Sequence, residues 1–334
     1  MRKLSPGKQK GLEAISDENQ IIFAMAMDQR GSLGKMIRSF NPNVPYAEGL
    51  TRFKAAVSEV LGNRSSALLL DPEYGWEAAG KLNQETGLIM AYEKTGYDAS
   101  QKGRLPALVD RYAVQDFVRE GVDALKLLVY YDPYEEKKVN AVKKAWIKRV
   151  GDECKQNDLL FILEPVSYSA GGIPEKSREF AKIKPRMIEY FMEEFSKACY
   201  GVDLLKVEAP VPVYYIEGCC GGKAEPVFRQ EEAAEAYDRC SEKSGVPFVY
   251  LSGGVSHDQF IETLHFAKQA GSRFCGCLCG RAVWKEGVQP FAEEGEAAFH
   301  HWLSTEGLDN LNRVAKAIRE TATPWSRYYA VSGQ

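Results

Sequence analysis

The sequence predicts a closed (β/α)8 barrel. Eight short apolar runs of strand type alternate with helical patterns over the 334 residues, and strict alternation favours parallel pairing of the strands. The phrase Gly-Val-Asp, followed by two apolar residues and a lysine, occurs twice and ends at Lys126 and at Lys206. These lysines are 80 positions apart, which fits two strand–helix units of about 40 residues each in a barrel of this kind.

The predicted strands are short apolar runs, as expected for strands that are buried on both faces. They lie at 21–27, 67–70, 87–91, 122–130, 159–163, 202–207, 248–251 and 274–278. Lys126 and Lys206 interrupt two of these runs. A lysine inside a buried strand costs several kcal/mol of desolvation unless another group pairs with it or uses it, so both lysines point to a site.

Helical spacing of apolar residues predicts the elements between the strands. At 45–61, Leu50, Phe53, Val57 and Val60 recur on one face, and the Ser256 hydroxyl can cap a helix that runs to residue 270. The other predicted helices lie at 1–17, 76–84, 105–120, 136–155, 174–200 in two pieces, 230–244, 288–303 and 308–321. We therefore expect residues 1–334 to form a single barrel domain with an N-terminal helix over 1–17, an extra C-terminal helix and a loose tail over 325–334.

An open, doubly wound sheet is the competing fold. Such a sheet usually has a glycine-rich turn after its first strand. Here that position holds Asp28-Gln29-Arg30-Gly31, which favours the barrel.

Composition and charge exclude several classes of protein. The formal net charge is −3 and the pI is near 6.0, so nothing in the balance attracts nucleic acid or an acidic membrane surface. The longest apolar runs are too short to span a bilayer, and the polar start is unlike a secretory signal. We expect a cytoplasmic protein without nucleic-acid or membrane partners, and a homo-oligomer is left open.

The cysteines and histidines do not suggest a metal site. Cys275, Cys277 and Cys279 alternate along one predicted strand, which places them on one face and suits a tetrahedral zinc loop poorly. Free buried thiols are the simpler interpretation of the eight cysteines. With four histidines in the chain, we expect neither a metal nor a cofactor.

Polar residues gather where the predicted strands end, which in a barrel is the position of the active site. Two of them can carry carbonyl chemistry, because a neutral lysine is a nucleophile toward a ketone and burial or a nearby cation lowers a lysine pKa from about 10.4. Lys126 and Lys206 are expected to lower each other's pKa in this way. Glu164, on the strand between them, is expected to act as a proton shuttle. The strand-end residues are Asp28, Asp71, Glu93, Lys94, Lys126, Glu164, Lys206, Ser252, Gly253, Gly254, Gly280 and Arg281.

Two further groups of strand-end residues suit a phosphorylated substrate. Ser252-Gly253-Gly254, with a helix start behind it, offers free amide groups to an anion. At the end of the next strand, Gly280 leaves the backbone accessible, and the guanidinium of Arg281 can donate parallel hydrogen bonds to an anion. Barrels commonly bind phosphate at strands seven and eight. Asp28 can bind or deprotonate a substrate hydroxyl.

Six motifs at the strand ends carry a resemblance to a known family. They are Ala26-Met27-Asp28-Gln29-Arg30-Gly31, Leu70-Asp71-Pro72-Glu73-Tyr74-Gly75, Tyr92-Glu93-Lys94-Thr95-Gly96-Tyr97-Asp98, Leu204-Leu205-Lys206-Val207-Glu208, Tyr250-Leu251-Ser252 and Cys279-Gly280-Arg281-Ala282. With these motifs the chain resembles the class I (Schiff-base) aldolases, and most closely the bacterial tagatose 1,6-bisphosphate aldolases. The resemblance covers nearly the whole chain.

The resemblance implies a reaction and a set of roles. A ketose 1,6-bisphosphate would be cleaved to dihydroxyacetone phosphate and glyceraldehyde 3-phosphate, with Lys206 forming the Schiff base and Glu164 acting as acid and base. Asp28 and Lys126 would assist at the substrate hydroxyls. The C1 phosphate would be held by Ser252, Gly253 or Gly254, and Arg281, while Arg30 and Lys94 are candidates for the distal phosphate.

Some alternatives stay open at the level of sequence. Strand seven ends Ser-Gly-Gly-Val where Ser-Ala-Gly-Val is expected, and the loops at 167–174 and 217–226 are unusual, so the far end of the substrate could be a sulfonate. A zinc-dependent aldolase and a sugar-phosphate-sensing regulator on the same barrel are further alternatives. Each polar residue also has a structural interpretation, as an ion pair, a turn or a surface group.

Overall fold

The fold is a closed barrel of eight parallel strands that follow one another in chain order, so the predicted fold is confirmed. The computed structural model describes residues 2–94, 101–219 and 225–330. The barrel strands are β1 (Ile22–Ala26), β2 (Ala67–Leu70), β3 (Gly87–Ala91), β4 (Ala124–Tyr131), β5 (Leu160–Ser167), β6 (Leu204–Val207), β7 (Phe248–Leu251) and β8 (Gly276–Cys279). In such a ring, β4 lies across the barrel from β8.

Helices surround the barrel and follow its strands. Their bounds are α1 (Pro6–Ala14), α2 (Gly31–Phe40), α3 (Tyr46–Val60), α4 (Trp76–Ala79), α5 (Val114–Arg119), α6 (Lys137–Gln156), α7 (Arg178–Phe195), α8 (Gln230–Lys243), α9 (His257–Gln269), α10 (Arg281–Trp284), α11 (Val288–Glu293), α12 (Glu296–Trp302) and α13 (Leu308–Thr321). Ser256 caps α9 as predicted, since its hydroxyl accepts a hydrogen bond from the Gln259 amide.

Helix α2 was not predicted. Its glycines at 31 and 34 look like loop residues, because glycine in a helix interior is unfavourable. The structure shows why Gly34 is there: a Cβ at this position would collide with the ring of Tyr46. The buried residues Leu33 and Ile37 attach the helix to the core.

The predicted helix over 105–120 is largely wrong, because only α5 is helical. The preceding segment pairs with the residues that follow β3: Val109 N donates to Tyr92 O at 3.0 Å and Lys94 N donates to Ala107 O at 2.7 Å. These long-range backbone bonds compete with helix formation, and apolar spacing in the sequence does not reveal them.

Alternation along the strands separates an inner core from an outer one. Inside the barrel, Ala24, Leu69, Ile162 and Leu204 are completely buried in one cluster. Their sequence neighbours point outward and pack with the helices, as Leu163 and Leu205 do. Period-two alternation therefore places Lys206, two residues after Leu204, on the inner face.

The repeated Gly-Val-Asp phrase forms the same local structure twice. Gly121 and Gly201 adopt positive φ values of 78° and 65°, which glycine tolerates without strain. The two aspartates then accept hydrogen bonds from amides at the second positions of the neighbouring strands: Asp123 Oδ2 from Leu88 N at 2.9 Å, and Asp203 Oδ2 from Phe161 N at 2.9 Å. The phrase thus fixes the height of each strand, and with it the height of its lysine.

The predicted loose tail over 325–334 is wrong for residues 325–330. Trp325 and Tyr329 are 1 % and 2 % exposed, and Tyr329–Ala330 pairs in parallel with Arg2–Lys3. The Tyr329 hydroxyl also donates to the Asp203 carbonyl at 2.7 Å. Aromatic burial thus holds this segment at the amino-terminal end of the barrel, beside α1, whereas residues 331–334 lie outside the described residues.

The three cysteines near β8 do not share a face, contrary to the expectation from alternation. Cys275 packs in the inner cluster, and Cys277 and Cys279 pack in the outer one. Gly276, with φ 139°, lies between them and breaks the alternation. The seven cysteines of the described residues are free thiols.

Within the described ranges, no helix is both long enough and apolar enough to cross a membrane.

Candidate active site

Lys206 and Glu164 lie side by side at the carboxyl ends of β6 and β5. The register that pairs Leu163 with Leu205 brings the next residues, Glu164 and Lys206, to one height. Lys206 Nζ donates to Glu164 Oε2 at 2.9 Å, and the two residues are 4 % and 6 % exposed. A proton can pass directly between the amine and the carboxylate over this distance.

Lys126 is surrounded by carboxylates. Its Nζ lies 2.7 Å from Asp28 Oδ2, 2.5 Å from Glu93 Oε1 and 3.2 Å from Glu164 Oε2. The residue is completely buried. Both lysines therefore contact the same oxygen of Glu164, and the predicted grouping of Asp28, Lys126, Glu164 and Lys206 is present in the structure.

The charge of Lys126 differs from the expectation. Burial alone would lower the pKa of Lys126, but Asp28, Glu93 and Glu164 outweigh burial and raise it well above its usual value. The prediction that the two lysines depress each other is therefore wrong for Lys126, because three carboxylates stabilise its ammonium form. This residue is a fixed cation beside Lys206.

Asp28 is a fixed anion with one oxygen to spare. Burial raises the pKa of Asp28, but Lys126 and Lys206 outweigh burial and hold it far below its usual range. Its Oδ2 accepts from Lys126, and its Oδ1 is buried without a hydrogen-bond partner. A buried carboxylate oxygen without a partner is costly, so Oδ1 is available to a substrate hydroxyl.

Glu93 is the residue of this cluster that sequence reasoning named at a strand end but gave no role. Its Oε1 contacts Lys126, and its Oε2 accepts from the Leu128 amide at 3.0 Å. Glu93 is 4 % exposed. The signal that could have revealed it is the register of β3 and β4, in which Ala91 is paired with Lys126 and so places Glu93 just above the lysine.

Glu208 joins the ends of β5 and β6 just beyond the pair of Glu164 and Lys206. Its Oε2 accepts from Ser167 N at 2.7 Å and from Ser167 Oγ at 2.5 Å, and its Oε1 lies 2.8 Å from Lys184 Nζ. These contacts fix the strand ends on which Glu164 and Lys206 lie.

The end of β7 forms a tight turn with two left-handed glycines. Gly253 and Gly254 have φ values of 60° and 80°, and Val255 N donates to Ser252 O at 3.1 Å. Two positive φ values at the central positions define a type I′ turn. An alanine at position 253, as in the expected Ser-Ala-Gly-Val pattern, would be strained there.

The end of β8 lies against this turn, as predicted. The guanidinium carbon of Arg281 is 3.0 Å from the position that a Cβ on Gly254 would occupy. A Cβ on Gly280 would collide with the Ala26 carbonyl oxygen, so only glycine lets β8 approach β1 this closely. Ser252, Gly253, Gly254, Gly280 and Arg281 therefore form one group on the β7–β8 side of the mouth.

Arg30 and Lys94 do not join that group. Arg30 is 3 % exposed, and it donates to Glu73 Oε2 at 3.1 Å and to the Glu93 carbonyl at 2.6 Å, which ties together the ends of the first three strands. Lys94 pairs with Asp110 and lines a surface pocket together with Trp146 of α6, on the outer side of the barrel. The structure therefore does not bring Lys94 to the mouth.

A cleft opens beside the turn of β7. It has a volume of about 460 Å³, and its walls include Lys184, Glu208, Ser252, Gly254 and Glu175. In the part of the chain that the structure covers, no group of three or more His, Cys, Asp and Glu side chains is arranged to hold a metal ion.

The fold and the site together define a barrel protein with a lysine–carboxylate centre at its mouth. The model of the DeoC/LacD family of aldolases matches residues 22–286. The match spans all eight strands, and the chain belongs to this family.

Relatives of known name cover almost the full chain. The protein is 46% identical over 325 residues to tagatose 1,6-diphosphate aldolase 2 of Enterococcus faecalis, with 97% of each chain covered. It is 42% identical over 329 residues to tagatose 1,6-diphosphate aldolase of Listeria monocytogenes serotype 4a, covering 98% of this chain and 96% of the relative.

Solved structures support the fold. A fructose-bisphosphate aldolase from Plasmodium falciparum, in complex with TRAP and an inhibitor, superimposes with a TM-score of 0.69, at 14% identity over 96% of this chain and 98% of that one. A Schiff-base-forming fructose-1,6-bisphosphate aldolase superimposes with a TM-score of 0.54, at 14% identity over 86% of this chain and 97% of that one.

Proposed function

We propose that the protein is a class I aldolase that cleaves tagatose 1,6-bisphosphate to dihydroxyacetone phosphate and glyceraldehyde 3-phosphate. The observation that carries the proposal is the position of Glu164 Oε2, 2.9 Å from Lys206 Nζ and 3.2 Å from Lys126 Nζ. The substrate follows from the names of the relatives described above. Phosphorylated sugars are intracellular metabolites, so the cytoplasm is the proposed place of action.

The reaction begins with attack of neutral Lys206 on C2 of the ketose. The amine can lose its proton to Glu164, because the two groups are in direct contact. The carbinolamine then loses water with a proton returned by Glu164, and the resulting iminium withdraws electrons from C3. Lys126 remains protonated and cannot compete as a nucleophile, because only the neutral amine attacks.

The iminium allows the C3–C4 bond to break. The C4 hydroxyl loses its proton, C4 leaves as the aldehyde carbon of glyceraldehyde 3-phosphate, and the bonding electrons form an enamine at C3. Protonation of C3 and hydrolysis of the iminium release dihydroxyacetone phosphate and return Lys206 to its free form. Glu164 is the group placed to carry these protons, since it touches the nitrogen on which the intermediates form.

Asp28 and Lys126 orient the hydroxyl groups of the substrate. Asp28 is held as a carboxylate, so it accepts a hydrogen bond through Oδ1 and is too weak a base to remove a proton readily. Lys126 supplies a positive charge near oxygen atoms that become negative during cleavage. The two residues are in contact, so their effects are coupled.

The C1 phosphate binds at the turn of β7 and at Arg281. The left-handed turn exposes backbone amides without side chains to shield them, and Arg281 adds a charge that suits phosphate geometry. In the ketose, C2 is the neighbour of the carbon that carries this phosphate. The position of Lys206 on β6, next to β7 in the ring, supports its assignment as the group that attacks C2.

A turnover assay with and without chelator tests the proposal. The purified protein should convert tagatose 1,6-bisphosphate to dihydroxyacetone phosphate, detected by coupled oxidation of NADH, at a rate that EDTA does not change. Activity lost in EDTA and restored by zinc would show the metal-dependent alternative. Binding without turnover would indicate a regulator. Cleavage of a sulfonated ketose 1-phosphate, without cleavage of tagatose 1,6-bisphosphate, would show that the sulfonated sugar is the substrate.

A further inference from the structure

Arg104 lies at the mouth of the barrel between two tyrosine rings. Its guanidinium carbon is 5.1 Å from the ring centre of Tyr130 and 4.8 Å from that of Tyr168. Its Nη2 is 2.8 Å from Glu175 Oε1. The side chain is 19 % exposed, so it is partly open to solvent.

The two rings continue the strands that bear Lys126 and Glu164. Tyr130 follows Lys126 by four residues within β4, so alternation keeps these two residues on one side of the strand. Tyr168 follows Glu164 by four residues and is the first residue after β5. Four residues of strand rise correspond to about 13 Å. Burial raises the pKa of Tyr130, as do the negative charges of Glu164, Glu175 and Glu208, whereas Arg104 lowers it.

The surroundings of Arg104 hold it in place. The Tyr168 hydroxyl accepts from Lys143 Nζ at 3.0 Å and donates to Glu135 Oε2 at 3.0 Å, which fixes one of the two rings. Stacking on aromatic faces orients a guanidinium and leaves its edge free for hydrogen bonds. That edge contacts Glu175, whose side chain is 43 % exposed and which also borders the cleft beside β7.

Two other cations near the mouth, Lys126 and Arg30, have stronger partners. Lys126 contacts three carboxylates, and Arg30 is buried between Glu73 and the Glu93 carbonyl. The partner of Arg104 is a partly exposed carboxylate instead, and an anion can displace it at a smaller cost. A phosphate accepts two parallel hydrogen bonds from such a planar fork.

We propose that Arg104 binds the phosphate at the far end of the ketose bisphosphate, and that this phosphate displaces Glu175 from the guanidinium. This inference rests on the proposed function. The C1 phosphate is assigned to the ends of β7 and β8, and Lys206 projects from β6. Because β4 lies across the ring from β8, the sugar chain extends from Lys206 over Lys126 toward Tyr130. Arg104 thereby distinguishes a bisphosphate from a ketose with one phosphate.

The test compares two substrates, tagatose 1,6-bisphosphate and tagatose 1-phosphate. In the wild type, kcat/KM is expected to favour the bisphosphate. In Arg104→Gln, the ratio of the two kcat/KM values should fall by roughly 30-fold or more, because a charge-assisted bidentate contact is lost. Glu175→Gln should change the ratio in the opposite direction, by about 2- to 5-fold, because it removes the competing carboxylate.

Two controls make the result specific. Lys102→Gln removes an exposed cation of the same segment, which pairs with Glu136, and should leave the ratio unchanged. Lys176→Gln tests another cation at the cleft. Thermal unfolding of each variant confirms that it is folded, and Arg104→Lys, which retains the charge, provides a second measurement if Arg104→Gln is unstable.

Three outcomes would overturn the inference: an unchanged ratio in both Arg104→Gln and Arg104→Lys, an equal loss with both substrates, or a collapse of the ratio in Lys176→Gln instead. An equal loss would show a structural role for Arg104. If the wild type cleaves neither substrate, the proposed function fails. If it cleaves both and the ratio does not depend on Arg104, only this inference fails.

Discussion

β4 and β6 carry the same Gly-Val-Asp phrase, yet their lysines have different surroundings. Lys126 on β4 contacts Asp28, Glu93 and Glu164. Lys206 on β6 contacts Glu164, at 2.9 Å. Both lysines are at least 96 % buried, so the difference lies in the number of carboxylates that their neighbours provide.

The comparison shows how one local phrase can serve two purposes. The glycine and the aspartate set the height of each strand in the same way on β4 and β6. The charge state is decided by residues on other strands, since opposite charges favour the ionised form of a buried lysine. Three carboxylates thereby hold Lys126 as a fixed cation, whereas Lys206, which contacts Glu164, is the residue that we propose as the nucleophile.

Replacement of Lys206 should have the largest effect. Lys206→Met removes the amine that forms the covalent bond, so kcat should fall by roughly 10⁴-fold or more, the scale on which loss of a covalent nucleophile acts. The coupled cleavage assay measures this loss. Lys138→Met, at an exposed position on α6, is the matched control. A Lys206→Met variant that keeps a tenth of the wild-type kcat would contradict the assignment of Lys206 as the nucleophile.

Replacement of Lys126 should slow the enzyme without preventing the covalent bond. Lys126→Met removes the fixed cation, and kcat should fall by about 10²- to 10³-fold, a range typical of electrostatic and acid–base contributions. Single-turnover kinetics should still show an adduct with the substrate. The two lysines would be equivalent, against our account, if Lys126→Met abolished adduct formation as Lys206→Met does.

Replacement of Glu93 should have a smaller effect of the same kind. Glu93→Gln keeps the size of the side chain and removes one of the three charges around Lys126, so we expect roughly a 10-fold lower kcat with little change in KM, because orientation rather than binding is impaired. Steady-state kinetics separate the two constants. Glu77→Gln, on the short helix α4, is the control. Wild-type kinetics in Glu93→Gln would show that the Glu93 carboxylate does not contribute to the reaction.

Lys143 extends the comparison to a buried lysine that contacts a neutral group. Its Nζ donates to the Tyr168 hydroxyl rather than to a carboxylate, and burial lowers the pKa of Lys143 to about 8. Between pH 7 and pH 9 the folded protein releases this proton while the unfolded chain keeps it, so this group makes the free energy of unfolding rise by about 1 kcal/mol.

Denaturant unfolding at the two pH values tests the prediction for Lys143. Between pH 7 and pH 9, the free energy of unfolding of the wild type should rise by about 1 kcal/mol more than that of Lys143→Met. Equal changes in the two proteins would show that Lys143 keeps its proton throughout, as Lys126 does.

The sequence was sufficient to predict the barrel and the grouping of four residues at its mouth. Strict alternation of strands and helices gave the fold, and the repeated phrase identified Lys126 and Lys206. The barrel topology then brought Asp28 and Glu164 to the same mouth. These conclusions depend on local patterns and on the parallel order of the strands, both of which a single sequence contains.

Long-range contacts account for what the sequence could not show. The contact of Glu93 with Lys126 depends on the register between β3 and β4, and the burial of Arg30 depends on Glu73 and the Glu93 carbonyl. The charge of Lys126 follows from distances of 2.5–3.2 Å to groups on three other parts of the chain. Part of the predicted Tyr92–Asp98 motif, residues 95–98, lies outside the described residues.

Borohydride reduction in the presence of dihydroxyacetone phosphate tests most directly the assignment of the two lysines. Reduction of the iminium should leave a stable label, and peptide mass mapping should locate it on Lys206 in the wild type and in Lys126→Met. Lys206→Met should remain unlabelled. A label on Lys126, or no label in the wild type, would contradict the account.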